Sequence, residues 1–507
     1  MNPANPGEAI TPGIGRADVW VFNATDATTL GSALGGTPET IVTLFGDTPK
    51  AVTVSPDGNT VYAAIFKSGN QTTTLSEGAV CNGGAGADNC TDADALSPGG
   101  LPAPNQSSTG DPAPETGLIV KYNGSAWRDE LGRDWSGLVR FNLPDKDVFA
   151  IDATANPPVE TAAFSGVGTV LFNMAVNPVS GKVYVTNTEA INEVRFEGTR
   201  PISGPGSDTS TVIGHLHEAR ITVIDPATNN ITPRHLNKHI DYSVVPSSAG
   251  VADDSLATPK GMAVTSNGST LYVAAKGSGK VGVFNTSDLE NDTFSPDSAN
   301  HIQLSIGGPG GLILDEYNNR LYVTTRFDNG ISVIDTMTNT EISHIGLHNP
   351  EHANVIAGRQ FLYDANLTSS NGEASCSSCH IEGDKDELAW DLGDPEGSSI
   401  NNPLNFIFGV GQPFHPMKGP MTTQTLRSMD THGSMHWRGD RTAGNDTGGA
   451  PFDEDGAFKK FNGAFVGLLG RSTPLSTAEM QAFTDFILQV TLPPNPNRAL
   501  DDSLTPD

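Results

Sequence analysis

Four stretches of the chain repeat one alternation of apolar and polar positions: AVTVSPDGNTVYAA (51–64), MAVNPVSGKVYVTN (174–187), MAVTSNGSTLYVAA (262–275) and LILDEYNNRLYVTT (312–325). In each, a short apolar strand runs into a polar turn containing Gly or Asn, and then into a second strand with Tyr at the same place. Such turn residues supply positive φ and the β-branched alternation suits a half-buried strand, so each copy predicts a β-hairpin. VWVFN near Trp20, ITVIDPATNNIT near Val223, VGVFN near Val283 and ISVIDTMTNTEI near Val333 add further strands. A period of about 40 to 50 residues with four strands per unit marks a β-propeller. Residues from about 16 to 346 predict about seven blades, with a loop insertion over about 76–116.

After Leu347 the texture changes. GRQFLYDANLTSSNGEASCSSCH has helical spacing as far as Leu362 and then becomes a polar loop, while Trp, Met and His concentrate in the residues that follow. The boundary is placed near His348, giving a propeller over 1–347 and a small α-helical domain over 348–507. In LSTAEMQAFTDFILQV, Ser476 and Glu479 make a capping box, and Met480, Phe483, Phe486 and Ile487 form an apolar stripe that predicts a packed helix.

The fold class is therefore mainly β, and composition agrees: Gly (56) and Pro (35) are plentiful and charged residues make up only 17%. The formal net charge of -29 excludes nucleic acid and anionic membrane surfaces as partners, since both would repel the chain. No apolar run is long enough to span a membrane. Cys81 and Cys90 lie in the polar loop CNGGAGADNC and are expected to form a disulfide, which favours export to the periplasm or beyond. The N-terminus carries no signal peptide in this numbering.

The other two cysteines lie in ASCSSCH (374–380). Cys-x-x-Cys-His is the attachment signature of c-type haem: Cys376 and Cys379 add to the porphyrin vinyl groups, and His380 binds iron from the same turn. A thioredoxin-like redox pair would need a βαβ context that is absent. A zinc site would need more Cys or His at ligand spacing. Haem iron usually takes a sixth ligand, most often His or Met. FHPMKGPMTTQTLRSMDTHGSMHWRGDR offers His415, Met417, Met421, Met429, His432, Met435 and His436. Taken singly, each is as readily a packed Met or a surface His. Arg427, Arg438 and Arg441 are candidates to pair with haem propionates. The acidic run EGDKDELAWDLGDPEG reads as a solvated face, with calcium binding as the alternative.

The hairpins resemble the YVTN family of propeller repeats, through Tyr184-Val185-Thr186-Asn187. Propellers host many activities, so this resemblance implies fold and not function. GRQFLYDANLTSSNGEASCSSCH, KGPMTTQTLRSM and HWRGDR together resemble the first haem domain of bacterial di-haem cytochrome c peroxidases and the related methylamine-utilisation oxidases, over roughly residues 350–445. The resemblance implies His415 as distal ligand, with Met417 a close rival and Met435 or His436 weaker ones. It implies an electron-carrying role for Trp437, whose alternative is an aromatic packed on the haem edge. The family's second Cys-x-x-Cys-His is missing, while the closing Ser503-Leu504-Thr505-Pro506 resembles the start of its second haem domain, so a further haem module is expected to follow.

These readings leave three functions: an electron carrier with one covalent haem c, docking a redox partner through that partner's basic face; a peroxidase-like haem oxidoreductase; and a secreted surface or assembly propeller. The first is the expectation.

Overall fold

Each repeated hairpin forms the first two strands of an antiparallel sheet in a computed structural model of the protein, which describes residues 17–25, 38–80, 101–104, 106–140, 142–198, 212–402, 413–495, 498, 503 and 504. Four sheets of four strands follow one another. The first comprises Pro49–Val54, Thr60–Ile65, Val148–Asp152 and Val159–Phe164. The second comprises Val170–Val176, Val183–Ala190, His217–Asp225 and Asn230–His235. The third comprises Pro259–Val264, Thr270–Ala275, Lys280–Asn285 and His301–Gln303. The fourth comprises Pro309–Asp315, Arg320–Thr325, Gly330–Asp335 and Thr340–Gly346. A two-stranded sheet, Ala17–Val21 with Thr40–Leu44, precedes them. At the hairpin turns Gly58, Gly181, Gly268 and Asn319 have φ of 76, 72, 71 and 53°, the left-handed backbone that Gly and Asn accept.

The first strands of the four sheets pack beside one another in chain order, which is the blade arrangement of a propeller. The recurring Tyr explains how. Tyr62 is buried between the first and second sheets, Tyr184 between the second and third, and Tyr272 between the third and fourth. Tyr322, on the last sheet, is 37% exposed because no further sheet among the described residues covers it.

Two expectations change. As far as Gly346 the described residues hold four four-stranded sheets, a three-stranded one and a two-stranded one, not about seven four-stranded blades, because chain length is spent on insertions. The segment between Ile65 and Val148 is more than a loop over 76–116: it carries a three-stranded sheet, Thr72–Leu75, Leu118–Tyr122 and Trp127–Arg128, with its own core around Leu75, Val120 and Trp135. A second excursion departs between the second and third strands of the second sheet, and its described residues 191–198 and 212–216 pack away from that sheet.

Beyond Gly346 the chain is less helical than expected. Its two longest helices among the described residues, Ala353–Tyr363 and Thr477–Ile487, have 11 residues each, and the α-helices described between them, such as Ala365–Thr368 and Glu454–Lys459, are four to six residues long. The second long helix has the expected Ser476 and Glu479 capping box and buries Met480, Phe483, Phe486 and Ile487. The core around these helices does not stop near His348: Ala190, Phe196, Val212, Ile213 and Leu216 from the second sheet's excursion join Phe361, Trp390, Met435, Phe465 and Phe483 in one apolar cluster. No helix among the described residues is long and apolar enough to cross a membrane.

The two long helices meet at Gly358. A Cβ there would lie 2.0 Å from the Ala482 carbonyl oxygen and 2.5 Å from the Phe486 Cβ. Gly358→Ala is therefore expected to force the helices apart and cost about 1–3 kcal/mol despite its better helix propensity. A lowered denaturant midpoint at unchanged slope is the expected reading, and an unchanged or raised midpoint contradicts it.

Candidate functional site

Cys376 to His380 fold as one tight turn. The His380 N–H donates to the Cys376 carbonyl at 2.9 Å, the Ser378 N–H to the Ser375 carbonyl at 2.9 Å, and the Ser375 N–H to Ser378 Oγ at 3.1 Å. Both thiols and the imidazole thus leave a single turn of backbone. Cys376 and Cys379 are free, half-buried and packed against the apolar core. Burial pushes the Cys376 thiol up to about 12, and burial together with Asp386 holds Cys379 well above its ordinary value. A redox pair works through a depressed thiol pKa, so this environment argues against that reading.

His380 is oriented by the backbone: its Nδ1 lies 2.8 Å from the Gln424 carbonyl oxygen. A carbonyl can only accept, so Nδ1 carries the proton and Nε2 keeps its lone pair. The carbonyl belongs to the segment MTTQTL, which is laced to the cysteine loop. Ala389–Trp390 pairs with Met421–Thr422, the Thr423 N–H donates to the Leu388 carbonyl at 3.0 Å and the Leu426 N–H to the Gly383 carbonyl at 3.0 Å.

The loop is also fastened on one side to the second sheet and the residues just after it, and on the other to the excursion that leaves that sheet. Three residues before Cys376, the buried Glu373 carboxylate accepts from the Ala219 N–H at 3.1 Å and Asn237 Nδ2 at 2.9 Å, pairs with His235 Nε2 at 2.8 Å, and takes the Tyr242 hydroxyl on its other oxygen. After the turn, Arg195 Nε donates to Asp391 Oδ2 at 3.1 Å and Asn192 Nδ2 to the Ala389 carbonyl at 2.9 Å.

A third imidazole approaches from the propeller side. His217, at the start of its strand, is 1% exposed, and neither ring nitrogen has a hydrogen-bond partner. Its donor atoms and those of Cys379 and Asp386 lie within 4.8 Å of one another. The ring sits against Trp390 at 5.1 Å, and Trp390 Nε1 donates to Asp386 Oδ2 at 2.9 Å. Burial, with a small contribution from His215, lowers the His217 pKa to about 3, and burial raises Asp386 to about 6. His217 is therefore neutral with a lone pair free, and Asp386 is held closer to its neutral form than an ordinary carboxylate.

The distal candidates are placed as follows. His415 Nδ1 engages the Met417 backbone, with the Met417 N–H at 3.1 Å, while its Nε2 is buried without a partner. The Met417 side chain is 1% exposed and Met435 is 3% exposed. His436 Nδ1 donates to Asp440 Oδ1 at 3.1 Å, and burial lowers its pKa to about 4 against the opposing pull of that carboxylate. Arg427 pairs with Asp384 at 3.5 Å, Arg438 with Asp440 at 3.1 Å, and the Arg441 guanidinium lies 5.8 Å over the Phe461 ring. Trp437 is 61% exposed, not packed, with Nε1 donating to the Thr422 carbonyl at 2.8 Å. Cys81 and Cys90 lie outside the described residues.

The acidic run is not a solvated face. Asp386 and Asp391 are buried, and Asp384 and Glu387 pair with Lys67 at 3.7 and 3.5 Å. Its carboxylates make no three-carboxylate cluster among the described residues. Sequence reasoning missed Glu373, Gln424, His217 and Asp386. Only the Ser-Asn-Gly-Glu lead into the cysteines hinted at Glu373, and nothing in the local pattern marks His217.

No protein family matches the sequence, and no curated protein does. Among solved structures, the periplasmic gluconolactonase PpgL of Pseudomonas aeruginosa is 12% identical, with 65% of this chain and 64% of that one covered and a TM-score of 0.32. A functionally unknown protein of Desulfotomaculum acetoxidans is 12% identical, covering 61% and 59% at a TM-score of 0.31. Less than two thirds of either chain is spanned. Kuenenia stuttgartiensis hydrazine synthase is 14% identical over 59% of this chain and 86% of that one, at a TM-score of 0.27. Likeness at these scores carries no argument about function.

The Glu373 network sets a pH dependence. Burial pulls His235 down, but the Glu373 hydrogen bond and charge outweigh it and leave the imidazole pKa raised. The stability from this pair is full below the unfolded value of about 6.5 and is lost as pH rises through the raised folded pKa. Glu373→Ala is expected to cost about 3–5 kcal/mol at pH 6, since it strands His235, Asn237 and Tyr242. Denaturation at pH 6 and pH 9 checks both points: the penalty shrinks at the higher pH, and a pH-independent penalty contradicts the assignment.

Proposed function

We propose that this chain is a c-type haem protein that carries electrons outside the cytoplasm, with one haem fixed to Cys376 and Cys379 and iron on His380. The observation that carries the reading is the His380 Nδ1 contact with the Gln424 carbonyl at 2.8 Å, inside a turn that also presents two free thiols. Metal-binding histidines are commonly held this way, with one nitrogen fixed by a carbonyl or carboxylate and the other left for the metal. The donor set therefore fits the group that the Cys-x-x-Cys-His spacing implies.

Haem in this position would supply a one-electron Fe(III)/Fe(II) couple. The residues do the rest. Cys376 and Cys379 would hold it through thioether bonds, each S–H adding across a vinyl double bond so that no oxidant is needed. His380 Nε2 supplies the fifth donor, and its orientation is fixed by Gln424. His415 is the first candidate for the sixth, because its Nε2 is buried and without a partner, and Met417 is the rival. A filled sixth position favours electron transfer over chemistry on a bound substrate, and a net charge of -29 favours docking to a basic partner. A peroxidase-like activity would require the sixth donor to leave.

Visible spectra of the oxidised and reduced protein test this reading. A six-coordinate low-spin spectrum, converted to a high-spin or altered one by His415→Ala, is the expected result. A high-spin spectrum in the wild type that responds to peroxide favours the peroxidase-like alternative and overturns the carrier.

A second reading rests on His217. Its partnerless nitrogens beside Cys379 and Asp386 form a three-donor set of the kind that binds zinc or copper, and it excludes the first reading because both use Cys379. A colourless protein holding one equivalent of metal, lost in His217→Ala, supports it. Haem with no such metal disposes of it.

A further inference from the structure

The two-stranded sheet that precedes the four full ones is the outer half of a blade. Its first strand reads VWVFN (19–23), matching VGVFN (281–285) in the third strand of the third sheet at all but one position. Pairing agrees with the match: Val19 lies opposite Val42 as Val281 lies opposite Ile302. Both pairs also face the following sheet. Val19 and Val42 pack on Ala63 and Phe149 of the first sheet, and Val281 and Ile302 on Leu321 and Val323 of the fourth. Ala17–Val21 and Thr40–Leu44 are thus equivalent to third and fourth strands. Among the described residues no strand pairs with the other edge of Ala17–Val21, where a second strand would lie.

The missing half leaves apolar surface open on the first sheet. Counted back from the recurring Tyr, Val54 is equivalent to Val176, Val264 and Leu314, and Val52 to Met174, Met262 and Leu312. In the second, third and fourth sheets these side chains pack in the cluster that holds the preceding sheet's Tyr. Met174 is 6% exposed, whereas Val52 is 61% and Val54 50% exposed. The difference follows from the missing strands, since the two-stranded sheet covers the outer part of this face and leaves its innermost strand bare.

The occupant is defined by the three interfaces that are complete. A hairpin whose second strand paired with the free edge would gain main-chain hydrogen bonds, and a Tyr at the repeat's place would lie over Val52 and Val54 as Tyr62 lies over Met174 and Val176. Each of the four hairpins that carry the repeat already opens a complete sheet, so neither they nor those of a second copy can fill the slot. We propose that the edge of Ala17–Val21 is a docking site for a β-hairpin of a different polypeptide, which completes this blade. The hairpin has alternating apolar residues in both strands, a turn with Gly or Asn, and a Tyr or side chain of similar size on its second strand. Such a hairpin is marginal alone, so it orders as it binds. The proposal does not rest on haem.

Hydrogen exchange of the full purified chain, read by mass spectrometry with and without a synthetic hairpin peptide, is the test. The probe is PKGMAVTSNGSTLYVAAK, the sequence of residues 259–276, with a scrambled peptide as control. In the chain alone, Ala17–Val21 is expected to exchange faster than Lys280–Asn285, and the probe is expected to slow it about tenfold or more. Affinity for the probe is expected to fall about tenfold or more in the double variant Val52→Asp and Val54→Asp. Both valines are exposed, so the variant is expected to fold, and the wild-type exchange pattern stands as evidence even if it does not. Slow exchange of Ala17–Val21 in the chain alone means that its own residues or a second copy fill the edge, and overturns the proposal. Exchange unchanged by the probe, an equal effect of the scrambled peptide, or unchanged affinity in the folded variant overturns it too.

Discussion

A carboxylate taken out of water must recover its lost hydration from fixed donors, and Glu373 does so with four of them. Ala219 and His235 belong to the second sheet's strands, and Asn237 and Tyr242 follow shortly after the last of them. The donors keep their geometry because the sheet does, so Glu373 has one position that satisfies it. Three residues later the chain turns through Cys376 and Cys379. The propeller therefore sets where the cysteine turn lies, through a polar contact that leaves little room for slippage.

The rest of the site follows from that fixed point. Arg195 and Asn192 hold the loop after the turn, and the strand pair Ala389–Trp390 with Met421–Thr422 brings the Gln424 carbonyl over His380. Apolar packing works in the same direction, since the excursion from the second sheet shares its core with both long helices. Charge is divided between the parts: the chain is strongly acidic, yet Lys50, Lys260 and Lys276 from the propeller strands meet at Glu382, just after the cysteine turn. A strongly acidic chain would guide a cationic partner to its surface.

Local physics was legible in the sequence, and long-range pairing was not. The four hairpins with their recurring Tyr and the capped helix at Ser476 all follow from period, turn residues and capping, each settled within a few residues. The blade count failed because insertions have no periodic signature: the segment before Val148 folds into its own sheet. Cys376, Cys379 and His380 stood out by spacing. Glu373 did not, because its partner His235 is 138 residues away. Gln424 contributes only a carbonyl, which any residue has, and His217 looked like one more strand residue until the fold placed it beside Cys379.

The account turns on a covalent link at the cysteine turn, and intact-mass measurement of the exported full chain under denaturing conditions examines that link directly. The predicted result is a chain heavier by one haem, with the addition surviving denaturation and absent when Cys376 and Cys379 are both replaced by Ala. A chain of unmodified mass, with both sulfurs still reacting as free thiols after export from a haem-attaching host, would contradict it.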